Sequence, residues 1–127
     1  MSGHRITADL QKADFDQADP GSGGTIVADG NWTVVDLSST EAETADGKRR
    51  VLADPVKSGQ VLVITAKSVA SGNIGVYNTT TKVNTSDNNL ITFNTAGDTV
   101  VLTSVPNGTS GYSWIITAND TATTTTV

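Results

Sequence analysis

Four consecutive apolar residues, Val61-Leu62-Val63-Ile64, lie in the middle of segment 60–67 and are the clearest indication of the fold. Successive side chains of an extended strand point to opposite faces, so four consecutive apolar residues need cover on both faces. Such a strand is typical of the centre of a sheet that is buried on both sides, or of a sheet with one face covered by another subunit. We therefore interpret these four residues as a central strand and as candidate contacts to a partner or a second copy.

Similar but shorter runs lie on both sides of this strand, at roughly ten-residue spacing. They cover residues 25–28, 32–37, 50–53, 73–77, 80–84, 90–95, 98–105 and 112–118. Turn signals such as Asp46-Gly47 and Pro106-Asn107-Gly108 separate the runs. Thr and Val, which favour strands, dominate the composition. The pattern predicts an all-β domain, a β-sandwich or small barrel of about eight to nine mostly antiparallel strands.

The two ends of the chain differ from this central domain. We predict an extended N-terminal arm with a Gly-rich linker over residues 1–24, a β domain over 25–119 and a Thr-rich tail over 120–127. Ile6, Leu10 and Phe15 would be the apolar anchors if the arm orders on a partner or on a neighbouring subunit. The alternative is a tail that makes no such contact. The C-terminal tail either frays or adds an edge strand.

Several function classes require residues that this chain lacks. It has no cysteine and one histidine, His4, which argues against disulfides, thiolate zinc sites, cysteine nucleophiles and His-dependent triads. The formal net charge of -5 disfavours nucleic acid as a partner. No apolar stretch approaches the roughly 20 residues of a membrane-spanning helix. We expect no catalytic residue, no cofactor, no metal and no membrane partner.

Two glutamates in the segment before residue 50 offer a pair of carboxylates. Glu41 and Glu43 could flank a scissile bond, but they lie in a polar loop beside Lys48-Arg49-Arg50, which favours a solvated loop with surface ion pairs.

Two groups of oxygen-bearing side chains offer ligands for calcium. Neither Asp14-x-Asp16-x-x-Asp19 nor Asp87-Asn88-Asn89 matches the twelve-residue loop that binds this ion, so a turn-forming role is favoured for the second group.

Tyr112 and Trp114 are two residues apart and share one face of a predicted strand. Exposed, they could stack on sugar rings, as in a receptor- or carbohydrate-binding module of a phage tail or fibre. Ile116 continues the same face, which favours packing in the core.

Charge is sparse in the second half of the chain. Residues 60–127 carry five charged side chains: Lys67, Lys82, Asp87, Asp98 and Asp120. Because exposed sheet edges normally carry charges that discourage pairing, this predicts that some edges or faces are covered by other subunits. The alternative is a monomer that Thr hydroxyls keep soluble.

Four segments in order carry a resemblance to known proteins: 24–27 (GTIV), 50–55 (RVLADP), 97–102 (GDTVVL) and 112–116 (YSWII). Together they resemble small β-rich virion proteins of tailed bacteriophages, of the head decoration or capsid cement type. The resemblance covers roughly residues 24–119. The insertion Ala45-Asp46-Gly47-Lys48 departs from the tighter connection expected there, which puts loop-borne contacts in doubt.

The resemblance implies a non-enzymatic protein that binds the major capsid protein on the outer surface of the assembled head. It further implies a homo-oligomer, with a trimer favoured. On this interpretation, deleting residues 1–20 should leave a folded body that attaches to its partner more weakly.

Overall fold

A computed structural model describes residues 16–108 and 111–127. Within these residues the chain forms ten β-strands and no helix. The strands are β1 (Asp16–Gln17), β2 (Thr25–Ile26), β3 (Trp32–Ser38), β4 (Arg50–Leu52), β5 (Val61–Ser68), β6 (Ile74–Tyr77), β7 (Leu90–Phe93), β8 (Thr99–Pro106), β9 (Tyr112–Asp120) and β10 (Thr123–Thr125).

The strands form two five-stranded sheets. Sheet A has the order β1-β3-β5-β8-β9, and sheet B has the order β10-β7-β6-β4-β2. Neither sheet closes into a barrel, so the all-β prediction is confirmed in its sandwich form. The segment 60–67 supplies β5, the middle strand of sheet A, as its apolar run predicts.

The pairing is less antiparallel than predicted. Of the eight pairings among the described strands, β1–β3, β3–β5, β2–β4 and β4–β6 are parallel, and the other four are antiparallel. From β1 to β6 each connection crosses to the other sheet, so two connections bring the chain back to the sheet it left. The returning strand then runs in the same direction as the strand beside it. Parallel neighbours result without any helical crossover. The expected predominance of antiparallel pairs is thus corrected to two mixed sheets.

The core lies between the sheets and follows the period-two alternation of the long strands. In β5, Leu62 and Ile64 are fully buried and Ala66 is 1% exposed. Val35 and Leu37 of β3 face the same interior. Because every second side chain of a strand faces the core, the side chains between them point outward.

Both ends of the described chain attach to the sandwich. β1 pairs with β3 at one edge of sheet A, so residues 16–24 contribute a strand to the body as well as a linker. β10 pairs with β7 and extends sheet B, which is the edge-strand alternative for the C-terminal tail. Asn94 and Asn84 donate to the hydroxyls of Thr123 and Thr124 at 3.1 and 3.3 Å.

Candidate functional site: the outer face of sheet A

The four apolar residues of β5 divide between two environments. Leu62 and Ile64 lie in the core, whereas Val61 and Val63 point away from it and are half-buried among their neighbours. Since a partner cannot reach the interior, Leu62 and Ile64 drop out of the predicted interface. Val61 and Val63 remain as candidates.

The strands beside β5 continue an apolar surface around these two valines. In register, Trp32 pairs with Val61 and Val34 pairs with Val63. On the other side Val101 pairs with Val63. Trp32 is 50% exposed, which is unusual for an indole ring. We call this surface the outer face; it comprises Trp32, Val34, Val61, Val63, Val101, Thr103 and Ile115.

Sheet A becomes polar on the same side at the end that carries Thr65 and Thr99. Asp36 of β3 pairs with Thr65 of β5, and Asp120 of β9 pairs with Thr99 of β8. The Thr99 hydroxyl donates to the Thr65 hydroxyl at 3.3 Å. One end of the sheet is therefore apolar, and the other end carries hydroxyls flanked by carboxylates.

The backbone of the edge strand β9 is partly covered by another segment of the chain. The Ile116 N–H donates to the Val83 carbonyl at 2.8 Å, so the connection between β6 and β7 covers part of this edge. A register shift at Val101/Leu102 further interrupts the ladder. Because covers and bulges oppose edge-to-edge pairing, the face of sheet A offers a better contact surface than this edge.

Trp114 belongs to the core. It is fully buried, and its indole N–H donates to the Ala53 carbonyl at 2.8 Å, between the sheets. The prediction of core packing is confirmed for this residue. A ring inside the sandwich cannot stack on a sugar, so this observation removes the aromatic pair with Tyr112 from consideration as a carbohydrate platform.

A buried charge cluster joins three parts of the chain. Arg50 of β4 is fully buried. Its Nε donates to Oδ1 of Asp19 at 2.8 Å, and its Nη2 donates to Oδ2 of the same carboxylate at 2.8 Å. Its Nη1 lies 2.5 Å from Oε1 of Glu43, and Nη2 also donates to the Ser38 carbonyl. Two parallel N–H···O bonds from one guanidinium to one carboxylate are among the stronger hydrogen bonds in proteins. We call Arg50, Asp19 and Glu43 the Arg50 cluster.

The Arg50 cluster corrects the solvated-loop interpretation of the acidic pair. Glu43 is only 5% exposed and bonded to Arg50, whereas Glu41 is exposed and lies 3.5 Å from Lys48. The two carboxylates thus do not converge on a shared site. The alternation Arg50-Val51-Leu52 could have revealed this, since Arg50 shares the face of the core residue Leu52.

Burial, hydrogen bonds and ionic interactions shift the pKa values of Arg50 and Asp19. Burial acts to lower the pKa of Arg50, but hydrogen bonds from Arg50 to Asp19 and Glu43 outweigh burial and raise it. Burial acts to raise the pKa of Asp19, yet bonds from Arg50 and from the Ser38 and Gly21 amides leave that pKa below its usual value. All of these contacts therefore favour the charged forms.

A second buried carboxylate caps the loop before β8. Asp98 is 3% exposed and accepts bonds from the Asn94 and Thr95 amides and from the Thr121 hydroxyl. Burial acts to raise its pKa, and these bonds together lower it. Its role is structural, because every bond to it comes from its own loop or from the turn that precedes β10.

The candidate calcium ligands have other partners. Both oxygens of Asp19 bind Arg50, and Asp16 is exposed in β1. Asn88 donates to the Thr126 hydroxyl, so the second cluster helps hold the C-terminal strand. Asp14 lies outside the described residues.

The basic cluster is neutralised locally, as the sequence predicts. Arg49 lies 3.8 Å from Asp46 and stacks over the ring of Tyr77, with its guanidinium carbon 4.6 Å from the ring centroid. Lys48 pairs with Glu41. Together with Arg50, each of these three basic side chains is thus paired with a carboxylate among the described residues.

The predicted arm anchors Ile6, Leu10 and Phe15 lie outside the described residues. Across residues 16–108 and 111–127 there is no pocket, and no three His, Asp or Glu side chains are placed to share a metal ion. The same residues include no helix long and apolar enough to cross a membrane.

Comparison with known proteins gave no assignment. No protein-family model matches this chain, and no curated protein shows significant sequence similarity to it. The outer face of sheet A is therefore the feature on which a functional proposal rests.

Proposed function

We propose that this chain is a non-enzymatic structural protein of a bacteriophage virion that decorates the outer surface of the assembled head. The observation that carries the proposal is the outer face, a mostly apolar surface spanning four strands of sheet A, with Trp32 exposed and its neighbours partly exposed. Contiguous apolar surfaces that solvent can reach are typical of protein contact sites. The resemblance of segments 24–27, 50–55, 97–102 and 112–116 to capsid cement proteins supplies the kind of partner.

In this role the chain acts by binding alone. A protein that binds the assembled shell, and not its free subunits, shifts the equilibrium toward the shell. At a concentration 100 times its dissociation constant, such a ligand stabilises each site by about 2.7 kcal/mol. The partner is the major capsid protein, and the location is the outer capsid surface.

We further propose that copies associate, with a trimer favoured. The sparse charge of residues 60–127 supports this, because uncharged strands depend on neighbours to avoid nonspecific pairing. Sedimentation velocity at micromolar concentration measures the mass; a monomer would contradict association.

Placing a charge at the centre of the outer face tests the proposal. We expect Val63→Lys to reduce binding to undecorated heads at least tenfold, because an ammonium group would be desolvated against an apolar partner surface. Heads lacking this chain are incubated with each variant, pelleted and assayed for bound protein.

The matched control is Val51→Lys. Val51 is a half-buried valine on the outward side of sheet B, paired with Thr25 and Tyr77. It should bind as the wild type does. Equal binding of both variants and the wild type would exclude the outer face as the contact, and absence of any wild-type binding would exclude the decoration role.

A further inference from the structure

Residues 16–24 form a strap that crosses from sheet A to sheet B. β1 holds one end of the strap against β3, through pairs of Asp16 with Val34 and Gln17 with Val35. The middle is held by Asp19, and the far end by the Gly23 N–H, which donates to the Lys48 carbonyl at 3.1 Å.

Asp19 makes the strongest of these attachments. None of residues 16–24 is buried, and the core begins at Ile26. β1 contributes two residues to the ladder. The remainder is rich in glycine, which loses much conformational freedom when it is fixed. The side chains of Gln17 and Ser22 also donate to the Val27 and Lys48 carbonyls, but these bonds are neutral. Among residues 16–24, Asp19 makes the one ion pair with the body that the structure describes.

The Arg50 cluster can lose Asp19 without leaving a buried charge unpaired. It contains one cation and two carboxylates. The side chain of Glu43 is 7% exposed and that of Asp19 is 18% exposed, so Asp19 is the outer partner. When Asp19 is neutralised by substitution at neutral pH, the ion pair between Arg50 and Glu43 stays in place. An uncompensated buried charge, the usual penalty for breaking such a cluster, is avoided.

We propose that the strap is an acid-sensitive latch: protonation of Asp19 releases residues 16–24 from the body while the sandwich stays folded. Release frees residues 16–24 as far as β2. β2 stays attached, because Val51 and Ala53 donate to the Gly24 and Ile26 carbonyls at 2.9 Å each. The nine released residues span roughly 30 Å when extended. This inference concerns the isolated protein and does not depend on the proposed function.

The pH range follows from the groups that face Asp19. These are the Arg50 guanidinium on β4, the Ser38 N–H at the end of β3 and the Gly21 N–H of the strap itself. Glu43 is bonded to the other side of Arg50, and the Lys48 ammonium is bonded to Glu41. The pKa of Asp19 is lowered in the closed state. The closed strap is thus fully favoured above the pKa of a free Asp, about 4, and is lost as the pH falls through the lower value.

Amide hydrogen exchange of the full chain with Asp19→Asn tests the latch. At neutral pH we expect protection factors at the amides of Gly21, Gly23 and Ser38 to fall at least tenfold, while those of β5 and β8 stay unchanged. In the wild type, protection at the same amides should fall progressively as the pH is lowered below about 4. Asp16→Asn is the control, since it removes the same charge from an exposed position of the strap and should leave protection unchanged.

Two results would overturn the latch. If Asp19→Asn keeps full protection at the three amides, the carboxylate does not hold the strap. If protection falls equally in β5 and β8, the cluster stabilises the whole fold and the strap does not open separately. Capsid attachment enters neither measurement, so failure here is distinct from failure of the decoration role.

Discussion

Replacing Arg50 with methionine should lower the free energy of unfolding by about 3–5 kcal/mol, the range found when one partner of a buried ion pair is removed. Methionine keeps much of the side-chain volume but leaves Asp19 and Glu43 without a cation. Glu43 is only 5% exposed and would be left as a buried carboxylate without its partner. Urea unfolding at pH 7, followed by far-UV circular dichroism, measures the loss.

Arg49→Met serves as the matched control. Arg49 is the neighbouring arginine, its ion-pair partner Asp46 is exposed, and its ring contact with Tyr77 lies on the outside of sheet B. We expect a loss of about 1 kcal/mol for this variant. Equal effects of the two substitutions would contradict the special role of Arg50.

Trp114→Ala should destabilise the sandwich by about 3–5 kcal/mol, because it removes the largest fully buried side chain and leaves a cavity between the sheets. It also leaves the Ala53 carbonyl without its indole donor. The same urea titration measures this effect.

The other tryptophan supplies the comparison. Trp32 is half exposed on the outer face, so Trp32→Ala should cost less than about 1 kcal/mol in the isolated protein. A large loss for Trp32 and a small one for Trp114 would reverse the assignment of core and surface.

The strand pattern could be predicted because it depends on local chemistry. The run Val61-Leu62-Val63-Ile64 identifies a central strand whatever its partners are. It does not tell which two of the four side chains face the core, since both alternations are equally apolar. That choice comes from the second sheet, which packs on the side of Leu62 and Ile64.

The parallel pairing was missed for a related reason. Strand direction depends on which sheet each connection reaches, and turn residues such as Asp46-Gly47 do not encode that. A hairpin was equally compatible with the sequence between β3 and β4, yet the chain crosses to the other sheet there. Long-range packing, and not local propensity, decides this.

The sequence does not reveal the Arg50 cluster, because acidic and basic residues close together in sequence are typical of a solvated loop. Strand periodicity carried the opposite signal, as Arg50 and Leu52 share a face. For Arg50, the alternation of the strand agrees with the structure and the local charge pattern does not. Asp19 could not be found in this way, since it lies 31 residues from Arg50 in sequence.

Cryo-electron microscopy of the particle that carries this chain tests the central claim most directly. We expect density for the two-sheet sandwich on the outside of the head, with Val61 and Val63 turned toward the capsid surface. Density at the tail alone, or a sandwich whose sheet A faces solvent without any neighbour, would contradict it.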